Sequence, residues 1–435
     1  MIHSSTNVKD TLFSCIESVA KNYWLHTDQL SHFSRHRKIS VSDVLLSTIC
    51  MQRGASKDET LNFFDYHSDA PTRSALIQQR NKLNHTAFEQ LFYSFTNSLS
   101  PDLTLNGYRL FAVDGSDIHI PTNRNDPDTF RITDKYGKGF NMLHLNAAYD
   151  LLSCLFTDII IQPCSHVNEC LAMCDMIDRF AEEHPDEKAL FIADRGYVSF
   201  NVLAHAIENG AFFLIRGRDS STSILSTIDL PDEPEFDITY EKILTRRSSN
   251  ISKSHPDSYR NVADRPFDYL ELKSNECYPI CFRVIKFLLP NGTDEYVLTN
   301  LPKADFSTSE IRDLYNRRWG IETSFRDIKY AASMLFFHSR KKNLVLQEIY
   351  AKLVLYNFSE AIARGVVIEK RDTKYTYRIN FSLAISTCVE YLKRCKQGTL
   401  IQLEALLKRD LIPVRPGRSS PRYRRARTAV TFQYR

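Results

Sequence analysis

The chain has 435 residues, 43% of them apolar and 25% charged, with a formal net charge of +4. These values describe a globular chain large enough for two or three structural units, and exclude a protein that binds through bulk basic charge alone. No apolar run approaches the roughly 18 residues needed to span a bilayer, and the first residues lack the basic start and apolar stretch of a signal peptide. Ten cysteines then read as reduced thiols of a cytosolic protein.

Residues 1–100 read as helical, with apolar recurrences in 41–51, 60–64 and 87–95. Between the last two lies the stretch 73–83, basic and polar on one side and apolar on the other. It is either a surface helix of a small bundle or a helix that meets nucleic acid, with Gln78, Gln79, Arg80 and Lys82 available to bases and phosphates.

From about residue 105 the pattern changes. Residues 109–113, 142–149 and 154–162 are strand-like and predict an antiparallel meander. A helix over 169–181, a strand over 190–193, a helix over 201–207 and a strand over 211–215 follow. This order predicts an α/β fold, a mixed sheet with helices on its faces. Two of the strands carry an aspartate at the tip followed by a turn residue: Asp114 before Gly115, and Asp194 two residues before Gly196.

Residues 218–305 interrupt that core with strand-like runs at 236–244, 267–273, 280–289 and 296–298 around an exposed link, 246–265. The pairs Cys170/Cys174 and Cys277/Cys281 fall in helix-like and strand-like stretches. Their spacing suits buried thiols better than a zinc knuckle. His119, His144 and His166 read as neutral core or surface histidines.

Ser307-Thr-Ser-Glu310 is a capping-box pattern that starts a helix. That helix carries Tyr315, Arg318, Glu322 and Lys329, at offsets of 3, 4 and 7, which stack on one helical face. By itself such a stripe is also what a solvated face of ion pairs looks like. Two strand-tip aspartates and one helical glutamate, however, make an oxygen donor set suited to a pair of magnesium ions roughly 3.5–4 Å apart. The last 21 residues, 415–435, hold seven arginines and no acid. They read as a solvated end or as an arm that orders on phosphates.

With those residues in view, the chain resembles the DDE transposases of bacterial insertion sequences. Tyr-x2-Arg-x3-Glu-x6-Lys at 315–329 is similar to the signature of the insertion-sequence-four group, and Asp194-Arg-Gly-Tyr197 is similar to that group's second motif. The resemblance spans roughly 40–425. It implies a ribonuclease-H-like mixed-sheet core in two parts, 101–217 and 306–410, split by a β-rich insertion at 218–305. A helical DNA-end-binding domain at 1–100 would precede the core and a basic tail at 411–435 would follow it. It implies catalysis and metal binding by Asp114, Asp194 and Glu322, with two Mg²⁺ ions for which Mn²⁺ can substitute, and DNA contacts from Tyr315, Arg318 and Lys329. It further implies a homodimer acting on the terminal repeats of its own element and on target DNA, in the bacterial cytoplasm and on the nucleoid when bound. A nuclease of the same fold without strand transfer, and an inactive DNA-binding descendant, remain as alternatives. Relatives that form DNA hairpins stack a base on a tryptophan in the insertion. Here the only tryptophans are Trp24 and Trp319, so stacking would fall to Tyr240, Phe267, Tyr269 or Tyr278.

Overall fold

The structure is a computed structural model. It describes residues 4–35, 37–99, 103–132, 139–217, 224–248, 250–255, 257–263, 265–289, 292–369, 375–399, 401–415 and 433–434. The basic tail from 416 to 432 lies outside the described residues.

The first hundred residues form helices α1 (Ser5–Lys21), α2 (Val41–Cys50), α3 (Ser56–Phe63), α4 (Arg73–Arg80) and α5 (Thr86–Leu99). Helix α5 shows why they fold: Phe88, Leu91, Phe92, Phe95 and Leu99 repeat at helical spacing and are all buried. Their partner is not only one another. They share one hydrophobic core with the 24-residue helix Lys342–Gly365 and with Phe381–Lys396, from the far end of the chain.

Strands β1 (Tyr108–Ile120), β2 (Phe130–Ile132), β3 (Gly139–Asp150) and β4 (Leu155–Pro163) come next. They are followed by α6 (Glu169–Glu183), β5 (Lys188–Ala193), α7 (Phe200–Glu208) and β6 (Phe212–Arg216). Strand β5 is buried at every position from Ala189 to Ala193, as a central parallel strand covered on both faces should be. Then come β7 (Phe236–Thr245), the short α8 (Asn250–Ser254), β8 (Tyr259–Asn261), β9 (Cys277–Leu288) and β10 (Asp294–Thr299). Helices α9 (Thr308–Arg317), α10 (Trp319–Tyr330), α11 (Lys342–Gly365), α12 (Phe381–Lys396) and α13 (Leu403–Arg409) complete the described helical elements.

These ten strands join one mixed sheet. Its order is β2-β3-β1-β5-β6-β10-β9-β7-β8, with β4 on β3. Strands β1, β5 and β6 run parallel, whereas β3 and β10 pair antiparallel to β1 and β6. The chain is thus mixed α/β with a large mixed sheet. The strands of 218–305 extend that sheet through the β6–β10 pairing and do not fold on a sheet of their own.

Three expectations need correction. Residues 267–273 are turns, because the carbonyls of Phe267 and Leu270 accept from the buried Arg246 guanidinium and so do not face a neighbouring strand. Tyr240, Phe267 and Tyr278 are buried, which leaves Tyr269 as the half-exposed ring of the four. Cys277 and Cys281 are exposed on β9, so the expectation of buried thiols fails for that pair.

Candidate functional site

Strands β1 and β5 are in parallel register, with Val113 opposite Ala193. Asp114 and Asp194 are the next residues on neighbouring strands, so the register brings them side by side. Asp194 leaves the sheet at that point. Its side chain caps a tight turn, Arg195–Tyr197, by accepting from the Gly196 N–H at 2.7 Å. Asp114 does not leave. Strand β1 runs six residues further, because β3 pairs with it continuously through Asp114 opposite Ala147 and Gly115 opposite Asn146. The turn expected after Asp114 is therefore absent, since cross-strand pairing outweighs the local preference of glycine.

The helix expected over 307–329 begins at its capping box, in which Ser307 accepts from Glu310 N–H and the Glu310 carboxylate accepts from Ser307 N–H. It is broken at Arg318, where the N–H turns to Tyr315 one residue short of the α-helical partner. The break divides α9 from α10 and places Arg318 before the first turn of the helix that carries Glu322. The Arg318 guanidinium donates to Glu322 Oε1 at 2.8 Å, and it is almost fully buried. Tyr315 is buried in the apolar cluster with Leu110, Ile192 and Phe287, 5.8 Å from Arg318 as measured to its ring centroid. Lys329, two turns beyond Glu322, donates to Ser116 Oγ at 2.7 Å and to the Asp117 carbonyl at 2.8 Å. It pins α10 to the strand that holds Asp114. Burial pulls its ammonium below the usual lysine range, against the pull of Asp117 and Asp114.

The charges of these residues act on one another. Burial pushes the Asp114 carboxyl up, opposed by Arg318 and the Gly115 N–H and reinforced by the negative charges of Asp194 and Glu322. The balance settles at about 6. Asp194 and Glu322 are thus each close enough to Asp114 to repel its charge. Among the described residues, however, no three His, Cys, Asp or Glu side chains converge tightly enough to ligate a single ion as they stand. All-oxygen donors that crowd negative charge on Asp114, with one arginine between Asp114 and Glu322, still suit a divalent cation, whose charge would relieve the repulsion at Asp114. A cavity of ≈400 Å³ elsewhere, bordered by Tyr93, Arg109, Asp158, Arg179 and Phe191, is lined by none of the three carboxylates.

Sequence reading missed three residues here. His144, directly across from Asp117 on β3, is neither neutral nor idle. Its Nδ1 lies 2.8 Å from Asp117 Oδ1 and its Nε2 3.0 Å from Glu169 Oε1. Burial works against its charge, yet the two carboxylates outweigh it and raise the imidazole to about 9. The sequence carried one clue, since Asp117 lies three residues after Asp114 and His144 had itself been singled out as a histidine. Glu169, the first residue of α6, gave none. On the helical side the expected DNA-reading helix loses a central member. Arg80 is buried and donates to Glu348 Oε1 at 2.9 Å and to the Leu344 carbonyl, so it holds the core together and does not face a partner. Gln79 is buried as well.

Residues 105–358 match the family model of the transposase DDE domain. That match covers more than half of the chain, and the chain belongs to this family of transposases. It is similar to a probable transposase for insertion sequence element IS5377 from Geobacillus stearothermophilus, at 25% identity over 175 residues. That stretch is 40% of this chain and 40% of the relative, so the match spans about two-fifths of that relative's length. It is also similar to piggyBac transposase in a synaptic complex with hairpin DNA, with a TM-score of 0.48 and 9% identity over 96% of this chain and 87% of that one. No helix among the described residues is long and apolar enough to cross a membrane.

Proposed function

We propose that the chain is a cut-and-paste transposase of the insertion-sequence-four group, with a ribonuclease-H-like core. It cleaves DNA at the ends of its own element and joins those ends to target DNA. Asp114, Asp194 and Glu322 are its catalytic residues, and two copies act together on paired ends. The observation that carries this reading is the parallel register that sets Asp114 beside Asp194, with Glu322 acting on the same half-buried carboxyl.

The three carboxylates would hold two divalent cations, Mg²⁺ or Mn²⁺. Such ions, when bound, supply a deprotonated nucleophile and stabilise the leaving oxygen in an in-line displacement at phosphorus. The remaining work falls to the chain itself. Asp114 must be ionised to hold a cation, which burial and the charges of Asp194 and Glu322 make harder and a bound cation would make easier. Arg318 presents a planar guanidinium beside Glu322 and can turn its free edge to a phosphate oxygen, with a geometry that a lysine would lack. Lys329 fixes the distance between α10 and β1, and its charge offsets the carboxylates on that side. Tyr315, buried beneath Arg318, supports the guanidinium from behind.

The test is cleavage and strand transfer on DNA bearing the element's own ends, with Mg²⁺ and then with EDTA. The wild-type chain is expected to do both with Mg²⁺ and neither with EDTA. Asp114→Ala and Glu322→Gln are expected to bind ends and to cut nothing. Cutting by Glu322→Gln would overturn the assignment of the site. Cleavage without joining would turn the reading to a nuclease, and end binding without chemistry in the wild type would turn it to an inactive descendant.

A further inference from the structure

Behind the candidate carboxylates lies a second cluster of charge. His144 is nine-tenths buried, between Asp117 on its own sheet and Glu169 at the start of α6. Burying an ion pair costs more than burying apolar side chains of the same size unless the geometry serves some purpose. Two glycines indicate what the purpose is. A β-carbon on Gly115 would fall well inside van der Waals contact of both His144 Nε2 and Glu169 Oε1. A β-carbon on Gly196 would lie 3.0 Å from Asp194 Oδ1 and 3.6 Å from Glu169 Oε2. Neither glycine has a positive φ, so what these positions require is space and not backbone freedom. One carboxylate therefore reaches the strand beside Asp114 with one oxygen and the turn beside Asp194 with the other.

We propose that Asp117, His144 and Glu169 form a positioning clamp, in which Glu169 is wedged between the Gly115 and Gly196 backbones and fixes the separation of the segments that carry Asp114 and Asp194. The imidazole anchors the wedge: it ties Glu169 to Asp117, three residues beyond Asp114 on the same strand. Asn168 caps α6 by accepting from the Leu171 N–H, which sets the direction in which Glu169 leaves the helix. Cys170, the next residue, donates to the Gly196 carbonyl at 3.5 Å and holds the same turn from the same helix. The helix that carries Glu322 meets the same strand through Lys329, which donates to the Asp117 carbonyl. The clamp's consequence for chemistry rests on the ion-holding reading above; its consequence for local order does not.

Hydrogen exchange separates the two. In Glu169→Ala, the amides of 111–117 and 193–199 are expected to exchange faster while the rest of the molecule and the Tm stay near wild type. Glu169→Gln keeps an acceptor for His144 and is expected to restore the wild-type pattern. In cleavage, Glu169→Ala is expected to need about tenfold more Mg²⁺ for half-maximal rate, the size of effect that supporting residues have on ion affinity, with end binding unchanged. Unchanged exchange in both segments would overturn the clamp, whether or not the protein cuts DNA. Faster exchange throughout the molecule would also overturn it, by making Glu169 a general prop. Should Glu169→Ala fail to fold, Gly115→Ala opens the same wedge from the strand side and must show the same two segments loosened. A wild-type protein that ignores Mg²⁺ would instead remove the catalytic reading, and the exchange pattern would still decide the clamp.

Discussion

A buried and a half-buried carboxylate in this molecule are treated in opposite ways. In the helical core, Glu348 accepts from Arg80 with one oxygen, and from the His338 N–H and ring with the other; His338 in turn reaches the Gly54 carbonyl. Burial alone would raise Glu348, but Arg80 and His338 overcome it and hold the carboxyl down at about 2. At the sheet, burial pushes Asp114 up to about 6, because Arg318, which also serves Glu322, and the Gly115 N–H offset it only in part and Asp194 and Glu322 add to it. The first cluster is closed and needs nothing more. The second carries a deficit of positive charge that a ligand could supply. Buried charge by itself therefore says little about function; whether the protein has already compensated it says a great deal.

This contrast can be broken in three ways. The largest effect is expected at the closed cluster, where Arg80→Ala leaves Glu348 buried without its guanidinium and should cost about 3–5 kcal/mol in urea unfolding. A loss below about 1 kcal/mol would mean the cluster is not closed as described. Next is pH. A carboxyl whose folded value lies below its unfolded one contributes stability that is complete above the unfolded value and disappears as pH falls through the folded one. Stability owed to Glu348, on the order of 3 kcal/mol, should therefore be present above pH 4.5 and lost toward pH 2. Glu348→Gln should flatten that part of the acid-unfolding curve. The smallest effect has the opposite sign. Asp114→Asn removes a repelled charge, and in the absence of divalent ions it should stabilise the protein by about 1–2 kcal/mol while abolishing cleavage. Destabilisation by this substitution would show that Asp114 is already compensated and that the two regions do not differ.

Much of the sheet and part of the site were legible in the sequence. Apolar runs ending in aspartate at 114 and 194 marked the two adjacent strands, because a buried parallel strand shows itself as continuous apolar residues. The capping box at Ser307 marked the start of α9 for an equally local reason. What could not be read depended on partners distant in the chain. Strand β1 continues past Gly115 only because β3 pairs with it there. Arg80 is a core residue only because α11 brings Glu348 to it, 268 residues away. The helix break at Arg318 falls directly before Trp319 and Gly320, which are not strong helix formers. His144 was visible as a histidine and invisible as a cation, since its charge is set by Glu169, which arrives from another element.

The central claim is that Asp114, Asp194 and Glu322 act as one cation-holding unit, and the thermal stability of the DNA-free protein in a Mg²⁺ titration tests it most directly. Because a ligand stabilises the state that binds it, wild type should gain Tm as Mg²⁺ rises, and Asp114→Asn, already relieved of its charge, should start higher and gain little. A wild-type Tm indifferent to Mg²⁺, or an equal gain in Asp114→Asn, would contradict the account.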